Sequence, residues 1–104
     1  MGKIRHCGEE DFYEAVLSLR TAEECRMFFA DICTIKELQA MAQRLQVAEQ
    51  LNAGRNYIEV GEATGASSAT ISRVNKCLTY GEGGYRTALE RMKKGKENGS
   101  DSEE

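Results

Sequence analysis

The chain contains no proline, and its apolar residues recur at spacings of three and four along most of its 104 residues. Such spacings place apolar side chains on one face of an α-helix, and no stretch shows the alternation that is typical of a β-strand. Glycine and asparagine interrupt the pattern instead, as they do at the ends of helices. The sequence therefore predicts an all-α fold.

Helix starts are indicated by a short polar residue followed three positions later by glutamate, the capping-box pattern. This pattern occurs at Thr21 with Glu24, at Thr34 with Glu37 and at Asn56 with Glu59. The helix that follows Thr34 is predicted to be the longest, and it ends at Gly54, a residue suited to a left-handed cap. A first helix around Phe12 and a last one that begins near Tyr85 complete the predicted set.

Charge is distributed unevenly along the chain. The segment 95–104 carries one lysine and four acidic residues, and without it the net charge of −3 becomes zero. Residues 1–43 hold five bases and eight acids, whereas residues 44–94 hold eight bases and five acids. The C-terminal half is therefore the half that could bind a polyanion. The alternative is that the mixed charges only keep a helical protein in solution.

Several kinds of function find no support in the sequence. No stretch approaches the roughly 20 apolar residues of a membrane helix, and the N-terminus turns acidic at Glu9, so we expect a cytoplasmic protein without a membrane partner. The four cysteines share no C-x-x-C spacing and only His6 accompanies them. We therefore expect reduced thiols, no metal site, no cofactor and no enzymatic activity.

The segment 57–78 is typical of two helices joined by a sharp turn, the helix-turn-helix of DNA-binding proteins. Gly65 lies where the turn requires a positive φ. At Gly61, four residues earlier, the second helix is predicted to pack so closely that a bulky side chain would collide. The apolar contacts that hold the two helices together are expected from Val60, Ala66, Ile71 and Val74.

The second helix of this segment is predicted to present short side chains followed by two cations. These candidate DNA-binding residues are Ser67, Ser68, Ala69, Ser72, Arg73 and Lys76. Short side chains let a helix approach the floor of the major groove, while the cations reach phosphates. Arg55, in the preceding loop, is a further phosphate-binding candidate. The alternative is an ordinary helical hairpin whose hydroxyl groups face solvent.

Residues 34–78 resemble the Trp repressor family, and within it the YerC/YecD-type subgroup. The resemblance is carried by T-I-K-E-L-Q-A-M-A-Q-R-L-Q-V-A-E-Q-L and by the later G-A-S-S-A-T-I-S-R. It implies an all-α, intertwined homodimer in which the N-terminal helices of both chains form a shared core. Each subunit would place one recognition helix, about residues 68–77, in the major groove of double-stranded DNA.

The resemblance also implies a candidate effector pocket. In the tryptophan-responsive members two arginines sandwich the indole ring, and Arg44 and Arg73 stand at the matching positions, with Thr34 matching a polar contact. Val74 replaces a glycine and Cys77 replaces a serine of those members. Because a branched side chain would enter the space of the indole, we expect no response to tryptophan. An unidentified small effector remains an alternative.

The sequence thus predicts a Trp-repressor-like helical domain over residues 1–94 and a disordered acidic tail over residues 95–104. Its predicted function is that of a homodimeric, sequence-specific transcription regulator of double-stranded DNA, acting as a repressor. A helical interaction module or a small-ligand sensor that has lost DNA binding is the alternative, because the predicted recognition face lacks Asn and Gln, which make bidentate contacts to bases.

Overall fold

The computed structural model describes residues 8–99, and within this range it consists of α-helices without a β-strand. The helices are α1 (Glu9–Leu17), α2 (Ala22–Ile32), α3 (Ile35–Asn52), α4 (Tyr57–Thr64), α5 (Ser68–Tyr80) and α6 (Gly84–Gly99). None of them is long and apolar enough to cross a membrane. The chain divides into two compact units, residues 1–38 and residues 39–104. The prediction of an all-α fold is confirmed.

The predicted capping boxes at the starts of α3 and α4 are complete. At α4 the Glu59 N–H donates to Asn56 Oδ1 at 2.9 Å, and the Asn56 N–H donates to Glu59 Oε1 at 3.1 Å. At α3 the same reciprocal pair joins Thr34 and Glu37, at 2.8 and 3.0 Å. Each box satisfies two N–H groups for which the helix itself offers no acceptor. The sequence therefore located both helix starts correctly.

The start of α2 differs from the prediction in one hydrogen bond. The Glu24 N–H donates to Thr21 Oγ1 at 3.0 Å, as expected, but Glu24 Oε1 accepts from the Arg20 N–H at 2.8 Å. Both candidate N–H groups precede the helix and lack an intrahelical acceptor, so either can serve as the donor. The Thr21 cap is confirmed. The predicted donation from the Thr21 N–H to the Glu24 carboxylate is wrong, because the Arg20 N–H donates to it instead.

The first unit, over its described residues 8–38, contains no buried residue. Helices α1 and α2 contact each other through the aromatic rings of Phe12 and Phe28, whose centroids lie 6.1 Å apart. Within α2, the ring of Phe28 meets that of Phe29 edge to face, with centroids 5.2 Å apart. Several large apolar side chains remain open to solvent, with Leu17 82% and Ile35 76% exposed. These helices have apolar faces that nothing within the unit covers.

The second unit holds the buried core of the described chain. Its members come from α3, the α4–α5 region and α6, and they are Val47, Ala48, Val60, Ala66, Ile71, Val74, Leu78 and Leu89. All four apolar contacts predicted for the α4–α5 segment belong to this core. The packing of α5 on α4 therefore follows from apolar residues at helical spacing on both helices.

Helix α6 is longer than the sequence indicated. It extends to Gly99, so residues 95–99 of the segment predicted to be disordered are helical. Lys96 and Glu97 are strong helix formers and no proline interrupts the segment, whereas Gly95, Asn98 and Gly99 are poor helix formers. Lys94 Nζ also lies 3.7 Å from Glu90 Oε2, one turn earlier. The remainder of the predicted tail, residues 100–104, lies outside the described residues.

Candidate nucleic-acid interface

A short turn of three residues, 65–67, joins α4 to α5. Gly65 ends α4 with φ 76°, a left-handed conformation, and its N–H donates to the Gly61 carbonyl oxygen at 2.8 Å. Only glycine adopts this conformation without steric strain. The predicted requirement for positive φ at Gly65 is confirmed, and it allows α5 to begin only three residues after α4 ends.

Thr64 fixes this turn with its side chain. Its Oγ1 donates to the Val60 carbonyl oxygen at 2.7 Å and accepts from the Ala66 N–H at 3.2 Å. The Thr64 carbonyl oxygen in turn accepts from Gln43 Nε2 on α3, at 3.2 Å. The sequence analysis assigned no role to Thr64 or Gln43. A threonine directly before the turn glycine was the available signal, because its hydroxyl can bond to nearby backbone groups.

At Gly61 the structure leaves room for a methyl group, whereas the prediction concerns bulky side chains. A Cβ atom built there would lie 3.7 Å from the Ala66 carbonyl oxygen and 3.8 Å from Ile71 Cδ1, which are ordinary van der Waals distances. The collision expected at this position therefore does not occur for a methyl group. Glycine is not required at Gly61 by close packing of the two helices.

The two glycines provide a matched pair of substitutions. Gly61→Ala is expected to raise the free energy of unfolding by about 0.5–1 kcal/mol, because alanine favours a helix interior and the methyl group has room. Gly65→Ala is expected to lower it by about 1 kcal/mol, because alanine is strained at φ 76°. Urea denaturation followed by circular dichroism, at one protein concentration, measures both. Equal effects of the two substitutions would contradict this account.

The N-terminus of α5 is fixed by Ser67. Its Oγ accepts from the Thr70 N–H at 3.1 Å and lies 3.2 Å from Thr70 Oγ1, to which it donates. Ser67 is thus the helix cap, in addition to being a predicted DNA-binding residue. Ser68 and Ala69 follow it, and both are exposed. Short side chains therefore surround the tip of α5.

The outer face of α5 lies opposite its buried face. We define it by the exposed residues Ala69, Ser72, Arg73, Lys76 and Tyr80. At about 100° per residue these five project away from Ile71, Val74 and Leu78, which are buried. Neither Arg73 nor Lys76 forms an ion pair within the described residues, and Arg55 is exposed in the loop before α4. The predicted cations are therefore free to meet an anion.

The C-terminal end of α5 is held by two residues of the segment that follows it. Arg86 Nε donates to the Leu78 carbonyl oxygen at 2.9 Å, and the Gly81 N–H donates to the Cys77 carbonyl oxygen at 2.8 Å. A Cβ at position 81 would collide with that Cys77 carbonyl oxygen. The Gly-rich stretch after α5 therefore contains a fixed helix end.

The residues of the predicted effector pocket have different surroundings. Val74 belongs to the core, so its side chain packs inward with Ile71. Arg44 is half-buried, whereas Arg73 and Cys77 are exposed. Thr34 lies in the first unit, where its hydroxyl caps α3. An open groove of about 390 Å³ between the end of α3 and α6 involves none of them, and it is lined by Glu49, Asn52, Ala53, Leu89, Met92, Lys93 and Lys96.

Comparison with known proteins identifies the family. Residues 9–93 match the family model described as Trp repressor protein. The chain belongs to the Trp repressor family. This is a family of regulators rather than enzymes. The match extends beyond residues 34–78, and it therefore confirms the resemblance over most of the chain.

Individual members of the Trp repressor family are similar over nearly the whole chain. The uncharacterized protein YerC of Bacillus subtilis (strain 168) is 48% identical over 91 residues, which cover 88% of each protein. A crystal structure of a candidate Trp repressor from Staphylococcus aureus aligns with TM-score 0.81 and 42% identity, covering 86% of this chain and 89% of that one. A TrpR-like protein from Eubacterium eligens aligns with TM-score 0.77 and 47% identity, covering 80% and 86%.

Proposed function

We propose that the protein is a cytoplasmic, homodimeric transcription regulator that binds double-stranded DNA and acts as a repressor. In this proposal α4, the turn 65–67 and α5 form a helix-turn-helix, and α5 is the recognition helix. The observation that carries the proposal is the outer face of α5. It combines small side chains at its tip with two cations that form no ion pair within the described residues, opposite a buried apolar face. Membership of a family of DNA-binding regulators supports it.

The proposed contacts differ along α5. Ser67, Ser68, Ala69 and Ser72 would approach base edges in the major groove, directly or through water. Arg73 would contact the major groove and the phosphates beside it. Lys76 and Arg55 would bind phosphates. Since the outer face contains no Asn or Gln, we infer that specificity depends mainly on bridging water and DNA shape.

The proposed homodimer is supported by the first unit. Helices α1 and α2 bury no residue, and apolar side chains such as Leu17 and Ile32 are exposed on them. A second copy of this chain would cover these faces and would give a two-fold symmetric pair of recognition helices. Sedimentation equilibrium is expected to give twice the chain mass of 11.6 kDa.

We propose that DNA binding does not require tryptophan. Val74, which follows Arg73 in the sequence, packs its branched side chain in the core. Cys77 is a weaker hydrogen-bonding partner than serine. A different small effector near Arg44 and Arg73 is the alternative.

The proposal is tested by selecting fragmented genomic DNA on the purified protein near physiological salt, without added ligand, and sequencing the retained fragments. We expect enrichment of a two-fold symmetric site, and the same site when L-tryptophan is present. Enrichment that appears only with L-tryptophan would contradict ligand-independent binding. Absence of enrichment, with and without L-tryptophan, would contradict constitutive sequence-specific binding.

A second candidate function is that of a helical interaction module or ligand sensor without DNA binding. Two observations favour it. The outer face of α5 lacks Asn and Gln, and a second open groove, also of about 390 Å³, runs along α4, where Ile58 is 74% exposed. If the folded dimer bound no duplex at any salt concentration tested, this candidate would be favoured over the first.

A further inference from the structure

Tyr80 is an exposed aromatic residue at the end of the outer face of α5. Its side chain is 82% exposed. Tyr80 follows Arg73 by seven residues and Lys76 by four, and these spacings place all three on one stripe of the helix. The sequence allows either contact with DNA or packing at the rim of the core for Tyr80, and its exposure argues against packing within the described residues.

The position of Tyr80 along α5 indicates which part of DNA it would meet. Eleven residues separate it from Ala69, which corresponds to about 16 Å along the helix axis. The major groove is only about 12 Å wide. With the tip of α5 at the base edges, Tyr80 would therefore lie at the sugar–phosphate backbone.

The end of α5 is held in place at Tyr80. Gly81 follows it directly and bonds to the Cys77 carbonyl oxygen, and Arg86 bonds to the Leu78 carbonyl oxygen. These two bonds occupy carbonyl groups at the end of the helix that have no intrahelical donor. A side chain on a fixed helix end loses little backbone freedom when it binds, which favours a specific contact.

We propose that Tyr80 is a further DNA-binding residue, whose phenolic hydroxyl donates a hydrogen bond to a phosphate oxygen beside the phosphates bound by Arg73 and Lys76. This inference rests on the proposed function and deepens it. Tyrosine is among the side chains that bond to phosphate oxygens, and such contacts fix the orientation of a protein on the duplex without reading sequence. Tyr80 thus extends the phosphate-binding surface to the last turn of α5.

The test compares Tyr80→Phe with wild-type protein on the selected duplex and on a scrambled duplex of equal length. Loss of two hydrogen bonds to charged acceptors, one from each subunit of the proposed homodimer, is expected to weaken binding at least about tenfold on both duplexes. The slope of log K against log salt is expected to stay unchanged, because no cation is removed. Tyr13→Phe, in the first unit, is the matched control and is expected to bind as wild type does.

A reporter variant gives an independent readout. The chain contains no tryptophan, so Tyr80→Trp introduces a single emitting indole at the end of α5. Its emission is expected to change when the scrambled duplex is added in excess.

The outcomes separate this inference from the proposed function. If Tyr80→Phe bound both duplexes as tightly as wild-type protein does, the phosphate contact alone would be overturned. A loss on the selected duplex without a loss on the scrambled duplex would overturn it as well. Failure of wild-type protein to bind any duplex would overturn the proposed function and this inference with it.

Discussion

Replacing Arg73 and Lys76 together by alanine is expected to weaken duplex binding at least about a hundredfold at low salt, since the proposed homodimer would lose four proposed phosphate-binding cations. Both side chains lie on the outer face of α5 and neither has an ion-pair partner within the described residues, so no internal interaction competes with DNA for them. The slope of log K against log salt should become less negative by about 0.9 for each lost phosphate contact. Fluorescence anisotropy with labelled duplex, over a series of salt concentrations, measures both quantities.

The control for this experiment removes two cations from the first unit. Arg20→Ala combined with Lys36→Ala changes the net charge by the same amount, and both residues are exposed. This control is expected to retain most of the affinity and of the salt slope. If the two double variants lost affinity equally, while sedimentation and circular dichroism showed folded dimers, overall charge and not the outer face of α5 would explain the binding.

Replacing Ile71 by alanine is expected to lower the free energy of unfolding by about 3 kcal/mol, which combines the lost transfer free energy with the cavity left behind. Ile71 is 2% exposed and belongs to the core that joins α3, α4, α5 and α6. It lies on the opposite side of α5 from the outer face, so the substitution removes packing without removing a proposed DNA contact. Urea denaturation at a fixed protein concentration measures the effect.

Ile58 on α4 provides a matched control for Ile71. The two side chains are identical, but Ile58 is 74% exposed. Ile58→Ala is expected to change the free energy of unfolding by no more than about 0.5 kcal/mol, as exposed substitutions usually do. A large loss at Ile58 would show that the groove beside α4 is covered in the assembled protein.

The two glycines show how far reasoning from sequence reaches. The need for glycine at Gly65 followed from the short distance between two helical patterns, because only a left-handed residue turns the chain so sharply. Whether a side chain fits at Gly61 depends on the distance between two helices. The spacing of residues along the sequence does not give that distance. The structure gives that separation, and it leaves room for a methyl group.

The fixed end of α5 was also beyond prediction from sequence. Arg86 and the Leu78 carbonyl oxygen are eight residues apart and belong to different helices. The intervening residues 81–84, three glycines and one glutamate, are typical of a flexible link and do not indicate the close return that brings the guanidinium back to α5. Such a contact depends on how α6 leaves the turn, and α6 contributes Leu89 to the core.

The sequence by itself determined the local features of this protein: the helical class, the caps at Thr34 and Asn56, the left-handed turn at Gly65 and the inward residues of α4 and α5. Each of these depends on interactions within a few residues, which spacing records directly. Only the tertiary structure decided the surroundings of Gly61, the role of Arg86 and the exposure of Tyr80. These depend on distances between helices, and residue spacing within a helix carries no information about such distances.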